Sequence, residues 1–318
     1  MSTESLAHRI LNLGAYSYSD IHLAGGEPIA LRVDGKITRV GDAITHAEFD
    51  GLLAGILTKV QQKAFIATGE IDLALALGGN DYRLSLYRSR SRTAACLRRI
   101  AKTLPTLASL GLPEGALKQL SKNSGLILVA GATGSGKSTT LAVLLDHLNQ
   151  DQQGHILTIE DPIEFVHQPQ RCIVSQREIG KDSSTFASAL RAGLRQDPNY
   201  ILIGELRDAE TIELALQAAE TGHLVFATLH APTVDGAVSR IVDGVSKARA
   251  PMVCAQLSRV LLMVIGQRLV LVEGGGRRLA LNVMLATHAV RNVIREGRLH
   301  QLATAIQTGG GMAGSTDS

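Results

Sequence analysis

A mainly parallel α/β sandwich preceded by a smaller α+β domain is the fold class this sequence predicts, and three observations predict it. Short, nearly continuous apolar runs at 126–130, 155–159, 200–203 and 224–228 are separated by helical stretches at 138–148, 184–194 and 209–219. Strands buried on both faces read this way, and strand alternating with helix builds a parallel sheet. Ahead of them, residues 71–77 and 82–86 alternate apolar with polar, the pattern of strands that bury one face. Between 103 and 115, Pro105, Pro113 and two glycines interrupt both patterns. A chain of 318 residues is long enough for two domains with separate cores.

Taken in order, residues 29–40 read as a hairpin that turns at Asp34-Gly35, a dipeptide that supplies positive φ. Thr45-His46-Ala47-Glu48 is a capping-box pattern, and it opens one apolar helix over 47–67. Gly78-Gly79-Asn80-Asp81 turns the chain between the two alternating strands. The reading is a first domain over 1–104, a linker over 105–115 and a second domain over 116–308. The Gly- and Ser-rich residues 309–318 are expected to be a disordered tail.

Composition narrows the function classes. Aromatic residues make up 3% of the chain and tryptophan is absent, which leaves no stacking platform for single-stranded nucleic acid. A net charge of +3 gives no electrostatic case for nucleic acid or for a membrane surface, so neither nucleic acid nor direct membrane insertion is expected. Cys96, Cys172 and Cys254 lie far apart, which argues against a disulfide framework or zinc ribbon and for a reducing cytoplasm. The first ten residues carry Glu4, His8 and Arg9 and do not read as a signal peptide. The most apolar stretch, 257–272, is broken by Arg259, Gln267 and Arg268, so no transmembrane helix is expected.

The residues that carry chemistry follow the buried runs. Gly131-Ala132-Thr133-Gly134-Ser135-Gly136-Lys137-Ser138-Thr139 fits G-x-x-x-x-G-K-[ST], with a strand before it and a helix after it. Glycines let backbone N–H groups turn inward around phosphate oxygens, and the helix N-terminus adds partial positive charge. Lys137 is placed to bridge the β- and γ-phosphates of ATP, and the Ser138 hydroxyl to ligate Mg²⁺. The run Tyr200-Ile201-Leu202-Ile203-Gly204-Glu205 ends an apolar strand on a carboxylate, as an element that holds Mg²⁺ or its water would. A solvated strand-end glutamate gives the same local pattern. Glu160, Asp161 and Glu164 cluster after the 155–159 strand, and Glu160, directly after it, is best placed to orient and deprotonate a water. His223 and His230 bracket the 224–228 strand; His230 falls at the ligand-gathering end as a candidate γ-phosphate sensor, and His223 at the structural end. Arg83, Arg88, Arg90, Arg92, Arg98 and Arg99 crowd the end of the first domain, as a solvated basic face or as residues that reach the nucleotide. Arg191 and Arg195, one helical turn apart, are open to the same two readings.

Together these segments resemble the secretion ATPase superfamily, and most closely its PilT-type pilus retraction (twitching motility) branch, along nearly the whole chain. Ser19-Asp20-Ile21-His22-Leu23 is similar to the start of that family's PAS-like N-terminal domain; 158–165 is similar to its Asp box, 201–208 to its Walker B box and 220–230 to its His box. Residues 176–180 and 189–198 match its connecting segments, and 289–296 matches the A-I-R-N-L-I-R-E signature of the retraction branch. The resemblance implies a RecA-like P-loop NTPase core behind a PAS-like domain, assembled as a homo-oligomeric, hexameric ring with ATP and Mg²⁺ between the two domains of each subunit. It implies Glu160 as catalytic base, Glu205 as the Walker B glutamate, and Arg98 and Arg83 as contributors to the nucleotide site. It also implies a cytoplasmic motor docked peripherally on an inner-membrane pilus or secretion platform protein, with rigid-body movement between domains coupling hydrolysis to force.

Four departures qualify the resemblance. The tetracysteine zinc motif of pilus-assembly and type II secretion relatives is absent, which favours retraction over assembly; Ala231-Pro232 replaces a polar pair; Asn199 stands where Asp is usual; and the chain stops soon after Gly311-Met312, short of the family's last helices. The alternatives that stay open are a type IVb, conjugative or type II-like secretion ATPase, and an accessory nucleotide-binding ring subunit with little hydrolysis.

Overall fold

A computed structural model describes residues 5–100, 104–272, 276–308 and 312–315, with backbone alone at Ala15, Ala74 and 312–315. Two compact units divide the chain, one built on the residues before Leu104 and one on the residues from Leu104 on.

The N-terminal unit contains α1 (Leu6–Leu11), β1 (Asp20–Ala24), β2 (Pro28–Val33), β3 (Lys36–Ala43), α2 (His46–Ile56), α3 (Lys59–Thr68), β4 (Glu70–Leu77), β5 (Asn80–Ser89) and β6 (Arg92–Ile100). Its strands form one antiparallel sheet in the order β3-β2-β1-β6-β5-β4. Alternation sends Ile21, Leu23, Leu84, Leu86 and Leu97 to one face, where they close over Leu6, Ile10, Phe49, Leu52 and Phe65 of the helices. Asp20 belongs to the opposite set. Its register partners are Arg32 on β2 and Arg98 on β6, and its carboxylate is 2.8 Å from Arg98 Nε and 3.6 Å from Arg32 Nε.

The single helix expected over 47–67 is two helices. Thr45 and Glu48 form the capping box at its start, but Thr58 and Gln61 form a second one: the Thr58 hydroxyl accepts from Gln61 N, and Gln61 Oε1 accepts from Thr58 N at 2.9 Å. Leu57 is extended, at φ −94° and ψ 130°. The apolar periodicity runs through the break, whereas the hydroxyl that ends it competes locally for backbone donors.

The second unit contains α4 (Glu114–Leu120), β7 (Gly125–Ala130), α5 (Lys137–Asp151), β8 (Gly154–Glu160), β9 (Cys172–Glu178), α6 (Phe186–Gly193), β10 (Tyr200–Ile203), α7 (Ala209–Glu220), β11 (Leu224–Leu229), α8 (Val234–Asp243), α9 (Ala250–Val260), β12 (Leu261–Leu271), β13 (Arg277–Leu285), α10 (His288–Arg295), α11 (Leu302–Thr308) and β14 (Met312–Ser315). The sheet order is β14-β13-β12-β7-β11-β10-β8-β9, parallel from β12 to β9 and antiparallel across β13 and β14. Every residue of β7 and β11 is buried, because helices cover both faces of the sheet. Among the described residues no helix is long and apolar enough to cross a membrane.

Two expectations are corrected here. Residues 105–115 are no linker: Leu107–Leu110 forms a 3₁₀ turn, and Leu110 and Leu112 are buried with Ala116 and Leu120 of α4 against β7 and α5. Gly111, at φ +66°, and Pro113 end one short helix and start the next, so residues read as breakers act as caps. Of the tail, residues 312–315 are strand β14, paired antiparallel to β13 with Asn282 opposite Ser315 and Met284 opposite Met312. Ladder hydrogen bonds need only backbone, so Gly- and Ser-rich composition does not prevent a short strand from covering an open sheet edge. The rest of the expected disordered tail, 309–311 and 316–318, lies outside the described residues.

Burial alone would raise the Asp20 carboxyl, but hydrogen bonds from Arg98 and Ser19 and the charges of Arg98 and Arg32 outweigh it and hold the group below the usual carboxylate range. A carboxylate depressed in the folded state contributes stability that is present at neutral pH and lost as pH falls through the folded value. Asp20→Asn is therefore expected to cost the N-terminal unit about 1–3 kcal/mol at pH 7. In urea melts the gap from the parent should close below about pH 4.

Candidate functional site

The parallel register determines where the chemistry gathers. Ala130 of β7 pairs with Leu229 of β11 and Gly266 of β12, Ala227 pairs with Ile203 of β10, and Ile203 pairs with Ile159 of β8. All these strands end on the same edge of the sheet. Glu160, which ends β8, and Gly131, Gly204, Glu205 and His230, which follow their strands, are delivered to one line, as ligand-binding residues are in open α/β sheets.

Gly131 to Gly136 form the turn between β7 and α5. Gly134 and Gly136 have φ of +76° and +91°, and Gly131 is extended at +159°. Ala132, Thr133 and Gly134 make the exposed crest, Ser135 and Lys137 are buried, and Ser138 and Thr139 lie in the first turn of α5. The first N–H groups of that helix have no carbonyl a turn earlier to bond, so the loop and helix start form a concentration of backbone donors. Lys137 Nζ donates to Gly131 O and Ala132 O, each at 2.9 Å. Burial lowers its pKa, and the charges of Glu205 and Glu164 oppose that shift.

Glu160 is held at the end of β8. Its Oε1 accepts from Thr158 Oγ1 at 2.7 Å and from Gln176 Nε2 of β9 at 3.2 Å. Burial pushes its carboxyl above the usual range, Glu164 adds to the rise, and the hydrogen bonds pull partly back. Glu205 sits with 15% of its side chain exposed, its Oε1 3.4 Å from His230 Nε2 and its Oε2 accepting from Arg207 Nε at 2.7 Å. Arg207 also lies 4.0 Å from Asp161, so one guanidinium spans the acidic ends of β10 and β8. The peptides around Glu205 are tied to β11, since Thr228 Oγ1 donates to Gly204 O and Leu206 N donates to Thr228 O.

The remaining sequence candidates have partners of their own. His223 lies just before β11, with Nδ1 2.9 Å from Ala218 O. Arg191 is ion-paired with Glu210 of α7, and Arg195 donates to Arg191 O. Arg83 and Arg98 are cross-strand partners in the N-terminal sheet, where they pair with Asp72 at 3.6 Å and Asp20 at 2.8 Å. Three residues of the second unit join these contacts without a role expected from the sequence: Arg207, Gln176 and Gln267. The last two had a visible signal, a polar amide in the middle of a strand, and Gln267 is only 6% exposed.

The donor set fits a magnesium-bound polyphosphate. Loop amides, the Lys137 ammonium and the buried Ser135 hydroxyl, which has no hydrogen-bond partner, supply donors, while Gly134 has no atom within 4 Å of where a Cβ would stand. The Ser138 hydroxyl and Glu205 carboxylate are hard oxygen ligands suited to Mg²⁺.

Comparison with known proteins agrees in both sequence and shape. The family model of the type II/IV secretion system protein matches residues 16–273. A type IV pilus retractation ATPase, PilT of Pseudomonas aeruginosa, is 44% identical over 300 residues, which cover 94% of this chain and 87% of that protein. The YggR protein of Escherichia coli is 43% identical over 295 residues, 92% of this chain and 90% of that protein. The crystal structure of the pilus retraction motor PilT with bound ADP superposes with a TM-score of 0.88 at 41% identity, covering 95% of this chain and 89% of that one. By motif, fold and identity, the chain belongs to the type II/IV secretion system protein family.

Proposed function

We propose that this chain is a ring-forming ATPase whose hydrolysis of ATP powers retraction of a type IV pilus. One observation carries the reading: the phosphate-binding turn, Lys137, Glu160, Glu205 and His230 meet on one edge of a parallel sheet, in a chain 44% identical to a pilus retractation ATPase. That the structural neighbour is a motor with bound ADP supports adenine nucleotide as the ligand here.

In this reading the loop from Gly131 to Thr139 cradles the phosphates, and Lys137 exchanges its bonds to Gly131 O and Ala132 O for phosphate oxygens. Ser138 and Glu205 would hold Mg²⁺, which would supply charge neutralisation for the phosphates. Glu160 takes the proton from the attacking water. Its raised pKa makes it a stronger base than a solvated glutamate, and Thr158 and Gln176 hold its carboxylate in place. His230, in contact with Glu205, senses the γ-phosphate end. Arg98 and Arg83 complete the nucleotide site from the N-terminal unit, from the same or a neighbouring subunit. The domains are a PAS-like unit built on the residues before Leu104 and a RecA-like unit built on those from Leu104 on. Six copies form the ring, which acts in the cytoplasm, docked on an inner-membrane platform protein.

Glu160→Gln is expected to lower kcat by about 10²–10⁴-fold while ADP affinity, measured by titration, stays within about threefold. The Glu160 base must be ionised, so kcat of the parent should fall on acidification through a limb above the ordinary glutamate value of about 4.3. The residual turnover of Glu160→Gln should lack that limb. Deletion of the gene in a cell that makes type IV pili should leave excess unretracted pili and abolish surface motility. Normal retraction in the deletion strain would remove the pilus assignment and leave the ATPase.

A further inference from the structure

Strand β12 lies beside the phosphate-loop strand, and its last buried polar residue faces the loop. Ile265 and Gly266 pair with Val129 and Ala130, so the parallel register carries Gln267 to the level of Gly131. Two contacts follow. A Cβ built on Gly131 would stand 2.5 Å from Gln267 O, so the β12 backbone abuts the first residue of the turn and requires glycine there. The Gln267 side chain then reaches the far end of the turn, where Nε2 donates to Ser135 O at 2.8 Å, both groups being buried. A Cβ on Gly136 would lie 3.3 Å from the same Nε2, so Gly136 too is read by this side chain.

The geometry points to Gln267 as a positioning residue for the nucleotide phosphates: its amide holds the Ser135 carbonyl and thereby aims the N–H of Gly136. The two groups belong to one peptide. In a planar trans peptide the carbonyl and the N–H point in opposite directions. With Ser135 O drawn toward β12, the Gly136 N–H is turned away from β12 and cannot rotate independently. Gly136 precedes Lys137, so its N–H is among the donors that a bound phosphate would meet.

Why the residue is an amide follows from what it leaves undone. Gln267 Oε1 is buried with no hydrogen-bond partner, and so is the neighbouring Ser135 Oγ. An unpaired buried oxygen is unfavourable, and a leucine of similar size would avoid it. The Nε2–Ser135 O bond is what leucine would lose. Placing the donor on a central strand, with β7 on one side and β13 on the other, gives the flexible glycine turn a fixed reference.

This inference rests on the ATPase reading, and the test separates the two. The full-length parent, Gln267→Leu and Gln267→Glu are compared by fluorescent ADP titration with Mg²⁺, steady-state ATP hydrolysis, thermal melting and amide hydrogen exchange. Gln267→Leu removes the donor at constant size; Gln267→Glu keeps the shape and sets a carboxylate against the Ser135 carbonyl. Both are expected to raise the Kd for ADP and the KM for ATP by about tenfold, with kcat within about threefold of the parent. In the nucleotide-free protein, exchange should quicken in the peptide covering 131–140 and stay unchanged in the β7 and β11 core. A folded Gln267→Leu that binds ADP within twofold of the parent overturns the inference and leaves the ATPase standing. Should Gln267→Leu not fold, the same criterion applies to Gln267→Glu, and for both variants parent-like exchange over 131–140 overturns it. A parent that neither binds ADP nor hydrolyses ATP takes both readings down.

Discussion

The site depends on the hydrogen-bonded register between β7 and its parallel neighbours. Because β12, β11, β10 and β8 run in the same direction as β7, the residues at the ends of these strands arrive at one edge of the sheet, although they are far apart in the chain. A shift of one residue in any of these pairings would exchange the faces of a strand whose both sides are buried, and the packed helices forbid it. The chemistry therefore inherits its precision from apolar packing. Complete burial of β7 and β11 is what allows short polar segments at their ends to be held without long side-chain scaffolds.

Around that edge the polar groups are arranged in pairs that restrain one another. Glu205 is set between His230 and Arg207, and Arg207 reaches across to Asp161, linking the ends of two strands through charge. Glu160 is instead set by neutral partners, Thr158 and Gln176, in a place where burial raises its proton affinity. Two glutamates at neighbouring strand ends thus differ in character because of their surroundings: one paired with the Arg207 guanidinium, the other held by neutral groups. In the proposed function that division separates a metal-facing carboxylate from a proton-accepting one. Lys137 belongs to the same balance, since burial disfavours its charge while Glu205 and Glu164 favour it, and its bonds to loop carbonyls keep it satisfied.

The N-terminal unit obeys a different rule. Its antiparallel sheet buries one face under helices, while the opposite set of residues includes Asp20, Arg32 and Arg98, register partners on adjacent strands. Arg98 and Arg83 are fixed there by ion pairs with Asp20 and Asp72 rather than left as loose surface cations. A solvated basic face was one reading of these arginines; cross-strand pairing shows that two of them have acidic partners within their own sheet. Whatever else they touch, their orientation is set first by the sheet.

Much of this was legible in the amino-acid sequence. Gly131 to Thr139, the carboxylates Glu160 and Glu205 and His230 were identifiable because each follows an apolar run that only a doubly buried strand explains. Local chemistry also marked the capping box at Thr45. The same kind of signal at Thr58 and Gln61 is masked by the apolar periodicity that continues through it. Residues 105–115 and 312–315 depart from their local pattern for a related reason: glycine, proline and serine report local backbone freedom, whereas burial against β7 and pairing with β13 are decided by distant partners. The grip of Gln267 on Ser135 spans 132 positions, and no window along the chain contains both. The sequence by itself determined the strands at 126–130, 155–159, 200–203 and 224–228, the helices between them and the glycine-rich turn after the first strand, since those follow from near-neighbour periodicity. Only the tertiary structure decided strand order and register, and with them which polar side chains meet, because those contacts are made between segments whose separation the chain does not encode locally.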